Sequence, residues 1–182
     1  MRRTSGFSLI EVMVTLVLTT IGILGMVAMQ GRSIQYTQDS AQRNTAIMLA
    51  NELAEIIRAN PDEVFKKTPP KEPIYSGFKD TSLFYKDKGS DFDTAPTNCV
   101  ANPTSAIEMR DCWVEAVEAS LPGAATLLDS TAYICRSSSP GTCDDNGSMV
   151  EIQLAWTVKA GTCPDTRAPD ATTCIYRTRV EL

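Results

Sequence analysis

The stretch Gly6-Phe7-Ser8-Leu9-Ile10-Glu11 begins an apolar run that continues to Met29. From Phe7 to Met29 the chain has no proline and one ionisable residue, Glu11. A helix of this length is long enough to cross a hydrocarbon core about 30 Å thick. Inserting a charge into such a segment costs about 2.5–3.5 kcal/mol, so the carboxylate of Glu11 indicates a function.

A short basic leader, Met1-Arg2-Arg3-Thr4-Ser5-Gly6, precedes the apolar run. With the Gly6-Phe7 junction and Glu11, this leader resembles the N-terminus of type IV pilin precursors. The resemblance implies cleavage after Gly6 by prepilin peptidase and N-methylation of the new amine of Phe7. It also implies that the apolar helix forms a filament core, in which the carboxylate of Glu11 pairs with the N-terminal amine of a neighbouring subunit.

The position of Glu11 is physically compatible with that role. The amine of Phe7 and this carboxylate lie one helical turn apart, and the positive end of a helix dipole favours an anion in the first turn. An unpaired charge in a packed helix bundle is strongly destabilising, and an amine from the next subunit removes that penalty. Two other interpretations remain: an interfacial residue of an ordinary membrane anchor, or a secretory signal that is removed whole. The second is disfavoured because Glu11 interrupts the apolar region and no small-x-small cleavage site follows.

Composition narrows the function classes. The formal net charge of −5 argues against nucleic acid as a partner, because phosphate binding needs a basic patch. The chain has no histidine, which removes the commonest general base and the commonest metal ligand. We therefore expect no catalytic residues, no metal, no cofactor and no enzymatic activity.

Beyond Gln30 the helix becomes amphipathic. Apolar residues recur at three- and four-residue steps, which is one stripe of an α-helix, and they are Ala46, Leu49, Ala50, Leu53, Ile56 and Ile57. The pattern predicts one helix from about Ser8 to Ala59, whose second half packs under a globular head. Asn60 and Pro61 predict the cap and first residue of a further short helix reaching about Lys66.

The remaining chain predicts one helix and several strands. Ser105 and Glu108 form a candidate capping box for a helix that contains Trp113 and ends at Leu121-Pro122-Gly123. Alternating residues 150–158 and 176–182 predict antiparallel strands, the first with one buried face. Residues 124–128 and 132–136 are weaker strand candidates. Over residues 104–158 this Trp helix, Leu-Pro-Gly and the strands after them are similar to the minor pilin family called type IV pilus modification protein PilV.

All six cysteines lie between Cys99 and Cys174. An even number in a chain with an export signal indicates disulfides formed outside the cytoplasm. Six cysteines allow about fifteen connectivities. We favour the local pairing, which is Cys99 with Cys112, Cys135 with Cys143, and Cys163 with Cys174.

The sequence thus predicts an α+β pilin fold. A long N-terminal helix, its apolar half protruding, packs on a small antiparallel sheet with a disulfide-rich head. We expect a cleaved leader over residues 1–6, a transmembrane and filament-core helix over 7–30, and a periplasmic head over 31–182 that includes the amphipathic half of the helix.

The resemblance implies a minor pilin that helps to initiate type IV pilus assembly, enters the fibre, and supports adhesion and twitching motility. Its implied partners are prepilin peptidase, other minor pilins, the major pilin and the inner membrane. Its implied location is the bacterial inner membrane before assembly and the pilus at the cell surface afterwards. Two alternatives stay open: a pseudopilin of a type II secretion system, and a membrane-tethered periplasmic enzyme or binding domain.

Overall fold

The computed structural model describes residues 8–67, 77–163 and 165–182, so Gly6 and Phe7 lie outside the described residues. The chain divides into two compact units, Met1–Gln38 and Asp39–Leu182. The elements in chain order are α1 (Leu9–Ala59), a 3₁₀ turn (Pro61–Glu63), α2 (Ala106–Ser120), α3 (Ala124–Ser130), β1 (Tyr133–Ser137), β2 (Met149–Thr157) and β3 (Thr173–Val180).

Helix α1 is 51 residues long, so the prediction of one continuous helix is confirmed to within a residue at its start. Within the unit Asp39–Leu182, its buried residues recur every three or four positions and form one stripe. They are Ala46, Leu49, Ala50, Leu53, Ala54 and Ile57. This stripe belongs to the same hydrophobic core as Trp113, Ile152 and Leu154. The amphipathic half of α1 therefore packs on the sheet, as predicted.

The turn after α1 is shorter than predicted. Pro61 does start it, but it is a 3₁₀ turn that ends at Glu63 rather than a helix reaching Lys66. The side chain of Asn60 does not cap it. Instead Asn60 Nδ2 donates to the carbonyl of Ile56 at 2.8 Å. Asn60 therefore satisfies one of the carbonyls left free at the C-terminus of α1.

Helix α2 starts at the predicted capping box. The Ser105 hydroxyl accepts from the backbone N–H of Glu108 at 3.4 Å, and the Glu108 carboxylate accepts from the backbone N–H of Ser105 at 3.0 Å. The indole N–H of Trp113 donates to the carbonyl of Leu49 at 2.8 Å. Because Trp113 is 1% exposed, this bond is shielded from water and ties α2 to α1.

The strand predicted over residues 124–128 is wrong, because these residues begin helix α3. Ala124 and Leu128 are the buried residues of α3, and their four-residue spacing places them on one face of a helix. Gly123 makes the entry possible with a positive φ of 70°. A Cβ on Gly123 would lie 2.2 Å from Thr157 Oγ1, so glycine is also required by the close approach to β2.

The three strands form one antiparallel sheet in the order β1-β2-β3. Ile134 pairs with Ile152, and Leu154 pairs with Tyr176. Ile134, Ile152, Leu154 and Trp156 are buried in the core on the inner face of the sheet. Strands predicted over residues 132–136, 150–158 and 176–182 are therefore confirmed, with shifted bounds.

The expectation that β2 has one buried face is wrong, because Glu151 on its outer face is 0% exposed. Tyr133 O–H donates to Glu151 Oε1 at 2.6 Å, and Gly141 N–H donates to both carboxylate oxygens at 2.9 and 3.0 Å. Arg177 Nε and Arg179 Nε lie 3.4 and 3.7 Å from the same carboxylate. These groups replace the water that a buried carboxylate loses, which is why the charge is tolerated there.

A second bond chain extends this outer-face network. Gln153, 3% exposed, accepts from Arg177 Nε and Nη2 at 2.9 and 2.7 Å and donates to the carbonyl of Thr131 at 2.9 Å. Burial is the main cause that raises the pKa of Tyr133 above its usual range, and the hydrogen bond to Glu151 raises that pKa further. Neutral Tyr133 thus remains a hydrogen-bond donor at ordinary pH.

Three disulfides connect the six cysteines, and they have the predicted local pairing. They join Cys99 to Cys112, Cys135 to Cys143, and Cys163 to Cys174, across separations of 13, 8 and 11 residues. The second one closes the loop that carries Gly141, so it holds in place the amide that binds Glu151.

Candidate membrane and assembly segment

The first part of α1 exposes a continuous apolar surface. Its large apolar residues are between 45% and 85% exposed, and they are Leu9, Ile10, Val12, Met13, Val14, Leu16, Val17, Leu18, Ile21, Ile23, Leu24, Met26, Val27 and Met29. A contiguous apolar surface of this size is typical of a membrane or protein contact. Within the part of the chain that the structure describes, α1 is the one helix long and apolar enough to cross a membrane, judged by length and composition.

The hydroxyl groups in this segment are satisfied inside the helix. Thr15 donates to the carbonyl of Val12 at 2.9 Å, and Thr20 donates to that of Val17 at 2.8 Å. The hydroxyl of Thr19 donates to the carbonyl of Thr15 at 2.9 Å. A hydroxyl that bonds to its own helix avoids most of the cost of leaving water. These threonines are therefore compatible with an apolar surrounding.

Glu11 lies in the first turn of α1, where its backbone N–H donates to the carbonyl of Ser8 at 3.0 Å. Its side chain is exposed, and no residue within 8–67, 77–163 or 165–182 donates to the carboxylate. Within the described residues, Glu11 is therefore the single anion of the apolar first part of α1, and it has no donor.

The other predicted site residues are Gly6, Phe7 and the six cysteines. Gly6 and Phe7 lie outside the described residues, so cleavage and methylation there stay predictions. The six cysteines lie in the other unit, where they form three pairs. Their contribution is to the head's stability, since closing a loop of this size is worth about 2–4 kcal/mol.

The head contains a cleft that sequence reasoning missed. It has a volume of about 610 Å³ and lies between α2, α3 and residues 86–99. Lys86, 3% exposed, lines it, and its ammonium donates to the carbonyls of Ala132 and Asp87 at 3.2 and 3.3 Å. Burial lowers the pKa of Lys86 from its usual value. No sequence pattern marks this cleft, because its walls come from segments distant in the chain.

A pair of buried charges holds one wall of the cleft in place. Arg110, 0% exposed, donates through Nη2 to Asp111 Oδ1 at 2.6 Å, and Thr97 donates to Asp111 Oδ2 through its backbone N–H and its hydroxyl. Burial acts to raise the pKa of Asp111, but the hydrogen bonds from Thr97 and Arg110 outweigh it and lower that pKa. Among the described residues, no group of three or more His, Cys, Asp or Glu side chains could hold a metal ion.

Two family models match the first 68 residues. Residues 1–27 match the prokaryotic N-terminal methylation motif, and residues 28–68 match the Tt1218-like family, described as type IV pilin Tt1218. No curated protein and no solved structure matches the chain. Neither family match reaches residues 104–158, so the similarity to the PilV family stays a prediction. Residues 1–68 are thus similar to the N-terminal region of type IV pilins and begin with the methylation motif.

Proposed function

We propose that the protein is a minor pilin of the type IV pilus, made as a precursor in the inner membrane. The observation that carries the proposal is the exposed apolar first part of α1, in which the one carboxylate, Glu11, has no donor among the described residues. Prepilin peptidase removes residues 1–6, and the new amine of Phe7 is methylated. The helix over residues 7–30 then leaves the bilayer and enters the core of the filament.

The carboxylate of Glu11 guides this transfer. In the bilayer it lies close to the cytoplasmic face, where it reaches headgroups and water. In the filament core it loses water, and an unpaired buried charge costs about 3–5 kcal/mol. The N-terminal amine of a neighbouring subunit removes that cost, so correct docking is favoured over a misaligned contact.

The rest of the chain forms the periplasmic head over residues 31–182 of the proposed subunit. We propose that the protein acts with other minor pilins and the major pilin to start assembly and then remains in the fibre at the cell surface. Adhesion and twitching motility depend on the fibre and therefore on this step. The similarity of residues 104–158 to the PilV family supports the minor role over a major one.

Cleavage is tested at Gly6. Gly6→Trp should leave the precursor full length on a gel, because a bulky residue blocks the peptidase, whereas the unaltered protein should yield a chain that starts at Phe7 by mass spectrometry. Gly22→Trp is the control: it also places the bulky residue on a glycine of the apolar run, and a Cβ there meets no atom within 4 Å. Normal cleavage of the Gly6 variant, or a mature chain that starts elsewhere, contradicts the proposal.

Assembly is tested at Glu11. Glu11→Ala should be cleaved normally but appear at a much lower level in pili sheared from cells. Glu52→Ala removes an exposed acid from the same helix and should be incorporated as the unaltered protein is. Equal incorporation of both variants would remove the pairing argument.

Two alternatives are distinguished by phenotype. A pseudopilin of a type II secretion system shares the N-terminal motif, and its deletion would abolish protein secretion while leaving pili intact. A membrane-tethered periplasmic enzyme or binding domain would show substrate turnover or ligand binding by the head. Loss of pili on deletion, with normal secretion, is the result expected of a minor pilin.

A further inference from the structure

The helix from Ser8 to Gln38 carries two charged side chains, and they have opposite signs. They are Glu11 and Arg32. Both are exposed, and neither forms a hydrogen bond or an ion pair with any residue that the structure describes. Neither charge is therefore neutralised by the part of the chain that the structure describes.

The spacing of these two charges matches a bilayer. The uncharged segment from Val12 to Gly31 is helical throughout and is about 30 Å long at about 1.5 Å per residue. This length equals the thickness of a typical hydrocarbon core. The threonine hydroxyls between the two charges bond within the helix. One charge therefore lies at each end of a segment that fits the hydrocarbon with little tilt.

We infer that Arg32 binds the phosphate oxygens of phospholipids in the leaflet opposite Glu11 and so sets the depth of the helix. This inference rests on the proposed membrane insertion of the precursor. A guanidinium presents parallel N–H groups that match a phosphate, and its long aliphatic stem can lie along hydrocarbon while the head reaches the interface. Arg32 thus stops the helix from sliding toward the Glu11 side.

If the charge of Arg32 is removed, no nearby charged residue can hold the helix at the same depth. Residues 33–38, Ser-Ile-Gln-Tyr-Thr-Gln, carry no charge, and the next charged residue is Asp39. Without the guanidinium, the helix can shift until residues 33 to 38 enter the interface, which moves Glu11 further out on its own side. Arg32 therefore fixes how deep Glu11 lies before assembly.

The test maps the membrane boundary in the full-length protein. The protein is reconstituted into vesicles of phosphatidylethanolamine and phosphatidylglycerol, and single cysteines are added by Ser33→Cys, Tyr36→Cys or Gln38→Cys. The six native cysteines are paired and do not react. A water-soluble maleimide then labels each added thiol that lies outside the hydrocarbon, with position 38 as the reference.

We expect the thiol at position 33 to be labelled in the otherwise unaltered chain. In the Arg32→Gln background its labelling should fall by roughly tenfold relative to position 38, because the helix shifts and the thiol enters the hydrocarbon. Arg32→Lys, which keeps the charge, should label as the unaltered chain does. Equal labelling at position 33 with arginine and with glutamine would overturn the inference.

Moving the charge gives a second and independent result. In Arg32→Gln combined with Gln35→Arg, position 33 should stay protected and position 36 should be labelled, since the boundary follows the guanidinium. A boundary that ignores the moved charge also overturns the inference. Extraction with alkaline carbonate tests the underlying function separately: release of the unaltered protein would contradict membrane insertion, whereas retention with an unmoved boundary contradicts the role of Arg32 alone.

Discussion

The two parts of α1 share one backbone conformation and have opposite relations to water. Leu24 in the first part is 69% exposed, whereas Leu53 in the second part is 0% exposed. The two parts therefore have the same helix geometry, but only the second part has its apolar side chains buried. The second part is covered by α2 and the sheet of its own chain, while the first exposes an apolar surface of the kind found at membrane or protein contacts.

The acids of the two units differ in the same way. Glu11 is exposed and has no donor among the described residues, whereas Glu151 is buried and bound by Tyr133 and Gly141 and flanked by two arginines. The head supplies partners for the charge that it buries. Among the described residues, the first part of α1 supplies no donor for Glu11.

The largest effect in this comparison is expected at Glu151. Glu151→Gln keeps the shape but removes the charge that offsets Arg177 and Arg179, and removing one partner of a buried charge pair costs about 3–5 kcal/mol. The free energy of unfolding can be measured by urea titration of the full-length protein in detergent, followed by near-ultraviolet circular dichroism.

Glu11→Gln is the matched control for that experiment. It should leave the unfolding free energy of the unit Asp39–Leu182 unchanged, because Glu11 belongs to the other unit and its carboxylate is exposed. A loss of stability equal to that of Glu151→Gln would show that the two glutamates do not differ in the way described.

The next effect compares two leucines of α1. Leu53→Ala leaves a cavity in the core and should lower the unfolding free energy by about 2–5 kcal/mol. Leu24→Ala, in the first part, should change it by less than about 0.5 kcal/mol. The same urea titration measures both variants. Similar losses for the two would contradict the separate burial of the two parts.

A smaller effect isolates the bond between α2 and α1. Trp113→Phe removes the N–H that binds the carbonyl of Leu49, whereas the N–H of Trp156, also buried, has no partner among the described residues. Trp156→Phe is the control, because both substitutions replace a fully buried indole with a phenyl ring. Trp113→Phe should therefore be the more destabilising by about 1 kcal/mol, as one hydrogen bond is worth. The same urea titration measures the unfolding free energy of both variants. Equal decreases in the two variants would show that the hydrogen bond of Trp113 contributes nothing.

The smallest effect depends on pH. The hydrogen bonds from the Arg167 side chain lower the pKa of Asp165 from 3.8 to about 2. Since the folded-state pKa is below the unfolded value, the stabilisation is present above about pH 4 and is lost as the pH falls through about 2. Arg167 is half exposed, so the pair should contribute about 1 kcal/mol or less.

This pH effect can be followed by NMR titration of the carboxyl groups. Arg167→Gln should raise the pKa of Asp165 toward its ordinary value. It should leave the pKa of Asp170 lowered, because the hydroxyl and backbone N–H of Thr172 hold that carboxylate. An unchanged pKa of Asp165 in the variant would contradict the assignment of Arg167 as the cause.

Sequence patterns correctly predicted the features that depend on residues close together in the chain. The apolar stripe of α1, the Ser105–Glu108 capping box and the short-range disulfides each depend on residues close in sequence, and the structure has all of them. The same holds for the exposed apolar segment around Glu11, where a run without charges is itself the signal.

The features that the sequence did not reveal depend on contacts between distant residues or on a run too short to show its period. Glu151 alternates with apolar residues and looks solvent-facing, but the loop that carries Gly141 covers it. The run 124–128 is too short for its period to separate helix from strand, and Ala124 and Leu128 became one helical face because the left-handed Gly123 restarts the chain as a helix. The cleft beside Lys86 likewise joins segments far apart in sequence.

The placement of the disulfides has a mechanical consequence. All six cysteines lie between residues 99 and 174, and α1 ends at Ala59, so no covalent cross-link joins this helix to the rest of the head. A force that pulls on α1 is resisted by side-chain packing and by hydrogen bonds. Two of these bonds run from the indole N–H of Trp113 to the carbonyl of Leu49 and from Arg58 to the carbonyl of Glu181. Under tension, the helix can therefore separate from the sheet while every cross-link in the molecule stays intact.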